Sequence, residues 1–377
     1  MARFEAEVGP LEIRPIPFVP LDQNGAALVL AAGRQIPPAG LRGDLFRHLE
    51  TTSAQLWLVN DRQTAIGVRA ETGKSLELLA RAQQLATWSD PVEFALDADR
   101  EEYFSRVSRL GRTLLIATRL ELADGQRERA VRLASLLGRT AIMERGSPGS
   151  VRQLIGARLE AQFLNAVSAL CEQASSNPEE LAAAELQIEE LGRLASSRRG
   201  IAQVASFVSS NASRFPIDGG SWNLATALAL DEMRGLSRAT EGPWPQSSQW
   251  LAKEGTRLQS SMQNACCFQR LFPRPQFRAD ILDYLNFPIL PAEQWALQSA
   301  RRAAAFALLA RRLRLDRNEA TARLSQLSPD AWTGGRIALD CSPDGASALT
   351  VPGAQELWEK EGSRRVAPPF RWPVPIC

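Results

Sequence analysis

His48 is the only histidine in the 377 residues. Ser/His/Asp hydrolysis and histidine-dependent zinc sites would all have to pass through that one side chain, which sits beside Glu50 with no flanking signature. A structural or solvated role is expected for it. The five cysteines, at 171, 266, 267, 341 and 377, include no CxxC pair. Cys266 and Cys267 with Cys171 have the softness for a thiophilic metal, but adjacent residues lack ligand spacing, and buried free thiols fit better. Cysteines this sparse and odd in number are no disulfide framework for so long a chain, so one or two bridges are the upper bound. No GxGxxG, GxxxxGK[ST] or GxSxG occurs, so the sequence marks of phosphate cradles and nucleophile elbows are missing. Glu185 with Glu189, and Glu179 with Glu180, lie in stretches dense with Leu and Ala, where carboxylates are solvated faces rather than acid/base couples. The clusters Arg198-Arg199, Arg301-Arg302 and Arg311-Arg312-Arg314 have few interleaved aromatics, so no nucleic-acid partner is expected. These patterns predict no catalytic residue, cofactor or metal ligand. They leave one candidate ligand pocket, between helices near Trp222, Trp244 and Trp250, which fall where the sequence is least regular; core packing is the competing role for these side chains.

The composition is that of a folded protein, 45% apolar and 23% charged with a net charge of +2. Such a balance selects no acidic or nucleic-acid partner. Of the 44 basic residues only Lys74, Lys253 and Lys360 are lysine. We read that bias first as base composition and second as a supply of guanidinium groups for ion pairs between helices. No apolar run reaches the roughly 18 residues of a membrane span, and Met1-Ala2-Arg3-Phe4 does not open a secretory apolar region.

The elements that must position any site are helices, and the stretch from Glu101 to Gln173 organises them. Phe104, Val107, Leu110, Leu114 and Leu115 recur at three or four residues, with a period near 3.6. Asp99 stands where an N-cap would, and Ala123-Asp124-Gly125 supplies a stop. A second helix runs from about Arg127 to Glu144 and ends at Arg145-Gly146-Ser147-Pro148-Gly149; a third starts near Ser150. Turns this short make neighbouring helices antiparallel. Further helices are predicted at 24–32, around 41–49, at 71–86, from Pro178 to about Ala195, at 201–213, 222–236, 250–267 and 279–285, and from Ala292 to about Leu315. From Ser328 the pattern turns to a hairpin, with strands near 336–339 and 347–351 and a Pro343-Asp344-Gly345 turn.

The sequence thus predicts a mainly α protein of stacked antiparallel helix pairs, solenoid-like, with a small C-terminal β-hairpin. Residues 1–23 form an extended strap, 24–237 and 250–327 the helical array, 238–249 a loop or linker, and 328–377 the hairpin and an extended tail. The runner-up is two helical domains meeting at 238–249. Trp332, Trp358, Phe370 and Trp372 are expected to bury against the Ala-rich helix 292–315.

Three stretches carry a resemblance. They are Asn24 to Ala32 with the helix Ser75 to Ala86; Leu114 to Leu137, joined through Leu120-Glu121-Leu122-Ala123-Asp124-Gly125; and Ala303 to Gly345, through Pro329-Asp330-Ala331-Trp332-Thr333-Gly334 and Ser342-Pro343-Asp344-Gly345. In their order the chain resembles a loosely defined group of uncharacterised bacterial envelope-associated helical-repeat proteins, whose C-terminal segment is similar to the tip of type II secretion pseudopilins. This chain lacks the group's N-terminal hydrophobic anchor, and Ala346-Ser347-Ala348 stand where such a tip would place carboxylates, so calcium binding is not carried over. The resemblance points to the cell envelope or periplasm if a leader or anchor has been removed. With no catalytic motif, the expected function is a non-enzymatic interaction or scaffold protein whose partner is another protein; the alternative is an enzyme or small-ligand carrier using the Trp222, Trp244 and Trp250 pocket.

Overall fold

The stretch Ser150–Glu172 is apolar on every side, since Leu154, Ile155, Ala157, Leu159, Ala161, Phe163, Leu164, Ala166, Val167 and Leu170 leave no polar stripe. A helix of that kind has to be surrounded. In the computed structural model all ten of these side chains are buried. The structure describes residues 20–36, 48–50, 57–85, 99–146, 150–172, 178–194, 242–250, 252–253, 289–342, 346–361 and 367–376. The strap at 1–19, Trp222, Cys266 and Cys267, the turn 343–345 and the helices expected at 41–47, 201–213, 222–236, 254–267 and 279–285 lie outside the described residues.

After a 3-10 turn at Leu21–Gln23, the described helices are α1 (Gly25–Gln35), α2 (Val59–Glu71), α3 (Gly73–Gln84), α4 (Asp99–Ala123), α5 (Arg127–Gly146), α6 (Ser150–Glu172), α7 (Pro178–Leu194), α8 (Ile289–Leu313), α9 (Arg317–Gln326) and α10 (Ala354–Lys360). Three strands, β1 (Ala338–Cys341), β2 (Ser347–Thr350) and β3 (Arg371–Pro373), form an antiparallel sheet in the order β1-β2-β3. The protein is therefore mainly α with a small C-terminal antiparallel sheet. The sheet is larger than the expected hairpin, because the tail is not merely extended but supplies β3, which pairs Trp372 with Leu349 across the ladder. Residues 244–250, placed largely in a loop or linker by the sequence, are helical, and Trp244 is buried in the main core.

The starts and stops around α4 to α7 follow from local chemistry. α4 is described from Asp99 onward. At the other end Gly125 has φ +72°, its amide donates to Leu122 O at 3.1 Å, and the Gln126 amide donates to Glu121 O at 2.7 Å. That pair of bonds closes the helix on a left-handed residue, a conformation glycine adopts without a Cβ penalty. Pro178 is the first residue of α7, where its missing N–H costs nothing.

Close approach fixes how α6 is surrounded. A Cβ on Gly156 would lie 3.0 Å from the backbone N of Arg145, and one on Gly138 would lie 2.9 Å from Phe163 Cε2. Going seven residues back along α5, from Arg145 to Gly138, goes seven residues forward along α6, from Gly156 to Phe163, so these two helices are antiparallel. The other neighbour runs the opposite way. Arg301 of α8 bonds Glu160 of α6, and Arg311 of α8 bonds the carbonyl of Cys171 in α6. Both pairs advance together, so α8 lies parallel to α6. A stack would keep each helix against its neighbours in the chain, whereas α6 contacts α4, α5, α8 and β3. One continuous apolar core reaches from Val29 in α1 to Ile376 beyond β3. A smaller cluster of Leu49, Ala65, Val68, Ile116 and Leu120 packs α2 on α4.

Candidate functional site

Several charged side chains lie inside the helical body, and buried ionisable groups are where a protein prepares chemistry when it has chemistry to do. Arg145, near the end of α5, and Glu160, in the middle of α6, are both fully buried, with Arg145 Nη2 2.7 Å from Glu160 Oε2 and Nε donating to the same oxygen at 2.9 Å. Glu160 Oε1 takes Arg301 from α8. One carboxylate thus binds two guanidinium groups and ties three helices. Burial pulls the Arg145 pKa down, while Glu160 opposes the shift by favouring the charged form.

Two further braces follow the same plan. Glu50, buried beside the only histidine, lies 3.2 Å from Arg112 Nε and accepts from Gln162 Nε2 at 3.3 Å. Arg119 donates to the carbonyls of Leu49, at 3.1 Å, and Glu50. Burial pushes this guanidinium down to about 10, against the raising effects of Glu172 and Glu50. Arg311 donates to Cys171 O near the last turn of α6 and to Pro373 O at the end of β3, 3.3 Å away, so it fastens the sheet to the helices. Burial lowers its pKa as well. Beside it the Cys171 thiol is pushed up to about 11 by burial, which keeps it neutral and inert at physiological pH.

The arginine clusters singled out in the sequence are divided by helix geometry. Arg301 and Arg311 point inward as described, while half-buried Arg302 donates to Ser328 O at 3.1 Å and Pro329 O at 2.9 Å, and exposed Arg312 meets Glu185 Oε2 at 3.1 Å. Glu185 is therefore an ion-pair partner, and Glu189 is exposed. His48 meets Asp61 at 3.1 Å on the surface, where Asp61 also accepts the Leu58 amide at the start of α2. Among the described residues no group of three His, Cys, Asp or Glu side chains could hold a metal ion.

Of the three tryptophans proposed to line a pocket, Trp244 lies in the core and Trp250 is half-buried, while Trp222 lies outside the described residues. Trp244 stacks on Trp332 at 5.7 Å with an interplanar angle of 27°, and meets Trp295 of α8 at 5.5 Å and 57°. Trp332 continues to Trp358 at 6.4 Å, and Trp358 to Phe370 at 6.5 Å. The partners of Trp244 are thus Trp295 and Trp332, not Trp250. The loop that presents Trp332 is built on Asp330, whose Oδ1 accepts the amides of Trp332 at 3.0 Å and Thr333 at 2.8 Å. Asp330 Oδ2, Trp244 Nε1 and Trp358 Nε1 are buried and meet no partner among the described residues. Sequence reasoning missed Glu160 and Asp330. The first could be found as the acid in the middle of a helix apolar all round, the second as the Asp of an Asp-x-Trp-Thr-Gly turn.

No protein-family model matches the chain, and neither a curated protein nor a solved structure does. Its class is therefore defined by its own geometry, a helical body centred on α6 with a small antiparallel sheet fastened to α8 by Arg311.

Proposed function

We propose that the chain is a non-enzymatic scaffold or interaction protein that binds another protein. One observation carries this reading: the strongly perturbed groups, Arg119, Arg145, Arg311 and Cys171, lie in the packed interior, and the three arginines brace one element against another. Perturbed groups in an active site serve a cleft; these serve the fold. A surface for a partner is available where Leu186 on α7 and Leu313 on α8, both exposed, flank the bridge of Glu185 with Arg312. The resemblance to envelope-associated proteins supports a partner in the bacterial cell envelope.

The test is a photo-crosslinking residue at Leu186 in the protein's own cells. A crosslink to one other protein, lost when Leu313 is replaced by Asp, is the expected result; no crosslink above that of an exposed control position such as Glu128 would overturn it. A second reading, a small-ligand carrier, is favoured by the unpartnered Asp330 Oδ2 and indole N–H groups in the tryptophan cluster, since buried polar atoms seek partners. Native mass spectrometry of the purified protein decides between them, a bound small molecule of defined mass with no protein partner favouring the carrier.

A further inference from the structure

Cys341 ends β1 and is disulfide-bonded, whereas Cys171 inside α6 is a free thiol. We infer that the partner of Cys341 is Cys377, and that the protein acquires this bridge in an oxidising compartment. Cys341 stands directly opposite Ser347 in the antiparallel ladder. Opposed residues project their side chains to the same face of a sheet, with Cβ atoms about 5 Å apart. The Ser347 hydroxyl therefore marks the face on which the Cys341 sulfur lies.

The chain beyond β3 follows Ser347 and then rises onto that face. The Val374 amide donates to Ser347 O at 3.0 Å, and Ser347 Oγ donates to Val374 O. Two residues later the Ile376 amide donates to Ser347 Oγ at 3.1 Å. This bond goes to a side-chain atom, so by Ile376 the backbone has left the plane of the ladder on the side that carries Cys341. One more residue advances the chain by about 3.8 Å. That puts the roughly 4 to 7 Å Cα separation of a disulfide within reach of Cys377. The bridge joins the two outer strands across β2 and anchors the segment that carries Trp372 and receives Arg311.

Forming it removes two protons and two electrons from the two thiols. A disulfide of an exchange oxidant accepts both electrons through a mixed-disulfide intermediate and leaves as two thiols, so the number of sulfur–sulfur bonds is conserved. Such bridges persist where thiols are not kept reduced.

The protein is isolated from its own cells with an alkylating agent present at lysis, then digested without reduction. One linked pair of peptides, containing Cys341 and Cys377, is expected, with Cys171 alkylated only after denaturation. Cys341 alkylated at lysis, or linked to Cys266 or Cys267, would overturn the inference. In Cys377→Ser, denatured but not reduced, one extra thiol should appear and map to Cys341; its absence would also overturn it. A reductant should lower the melting temperature of the native chain and leave that of the variant unchanged, and equal shifts in both would contradict the bridge.

Discussion

Glu160 is bonded from both sides, by Arg145 and by Arg301, with water excluded. Replacing it with Gln leaves two guanidinium groups inside the core without their countercharge, and breaking a buried ionic set in this way costs about 3–5 kcal/mol. Urea unfolding of Glu160→Gln should show that loss as a lowered midpoint. Replacing all three members with apolar residues of similar volume should cost far less. A second prediction concerns alkali. The Cys171 thiol has its folded pKa raised, from 9.0 to about 11, by burial. The folded protein then holds a proton that the unfolded chain releases first, so the stability from this group is complete below about pH 9 and is lost as pH rises towards 11. The loss amounts to roughly 2–3 kcal/mol by linkage. Arg119, lowered to about 10 by burial, works in the opposite sense above pH 10, so the comparison of native chain with Cys171→Ala is made between pH 8 and 10. A steeper fall for the native chain is the expected outcome. At this scale the sequence shows that Glu160 is out of place on an apolar helix. It cannot show that its second partner lies 141 residues away, because nothing local encodes that distance.

The elements with a local signal were legible, and those whose reason lies elsewhere in the fold were not. The stop of α4 at Gly125 and the proline start of α7 could be read from adjacent residues. Gly125→Ala should cost about 1 kcal/mol, since φ +72° strains any Cβ, and thermal unfolding would record it. The start of α9 also has a local signal, although the sequence analysis placed 317–326 only within the array and predicted no separate helix there. Asp316 Oδ1 accepts the Glu319 amide at 2.9 Å while Glu319 Oε2 accepts the Asp316 amide at 3.2 Å, a reciprocal cap. Asp316→Ala should remove about 1 kcal/mol from α9, and hydrogen exchange should rise over 317–326 more than over α8. By contrast β3 is three residues ending in proline, with no strand pattern of its own. It is a strand because β2 offers an edge and because Leu349 and Trp372 face each other in the core. The seven residues of α10 are too few to show a period, and they follow Gly353 in a left-handed conformation.

Across the whole molecule, β2 and β3 pack against α8, and Arg311 of α8 bonds Pro373 O. Trp332, Trp358, Phe370 and Trp372 are all buried in the apolar core that also holds α8, and Trp332 reaches α8 through Trp244, which meets Trp295. Trp332→Ala should cost about 3–5 kcal/mol, the usual price of emptying a large aromatic site. Removing residues 329–377 should expose Trp244 and Trp295 and lower both melting temperature and solubility; a truncated chain that stays monomeric with an unchanged melting temperature would make the sheet an independent appendage. The parallel course of α6 and α8 carries a consequence in time. Parallel neighbours cannot be joined by a short turn, and Arg311 lies 140 residues beyond Cys171. At a synthesis rate of roughly 5–20 residues per second, α6 leaves the ribosome on the order of ten seconds before its last helical neighbour exists. During that interval Glu160 has Arg145, only 15 residues upstream, as its counterion. The nascent chain therefore neutralises its buried acid in two instalments, the first within a hairpin and the second when α8 arrives to close the core.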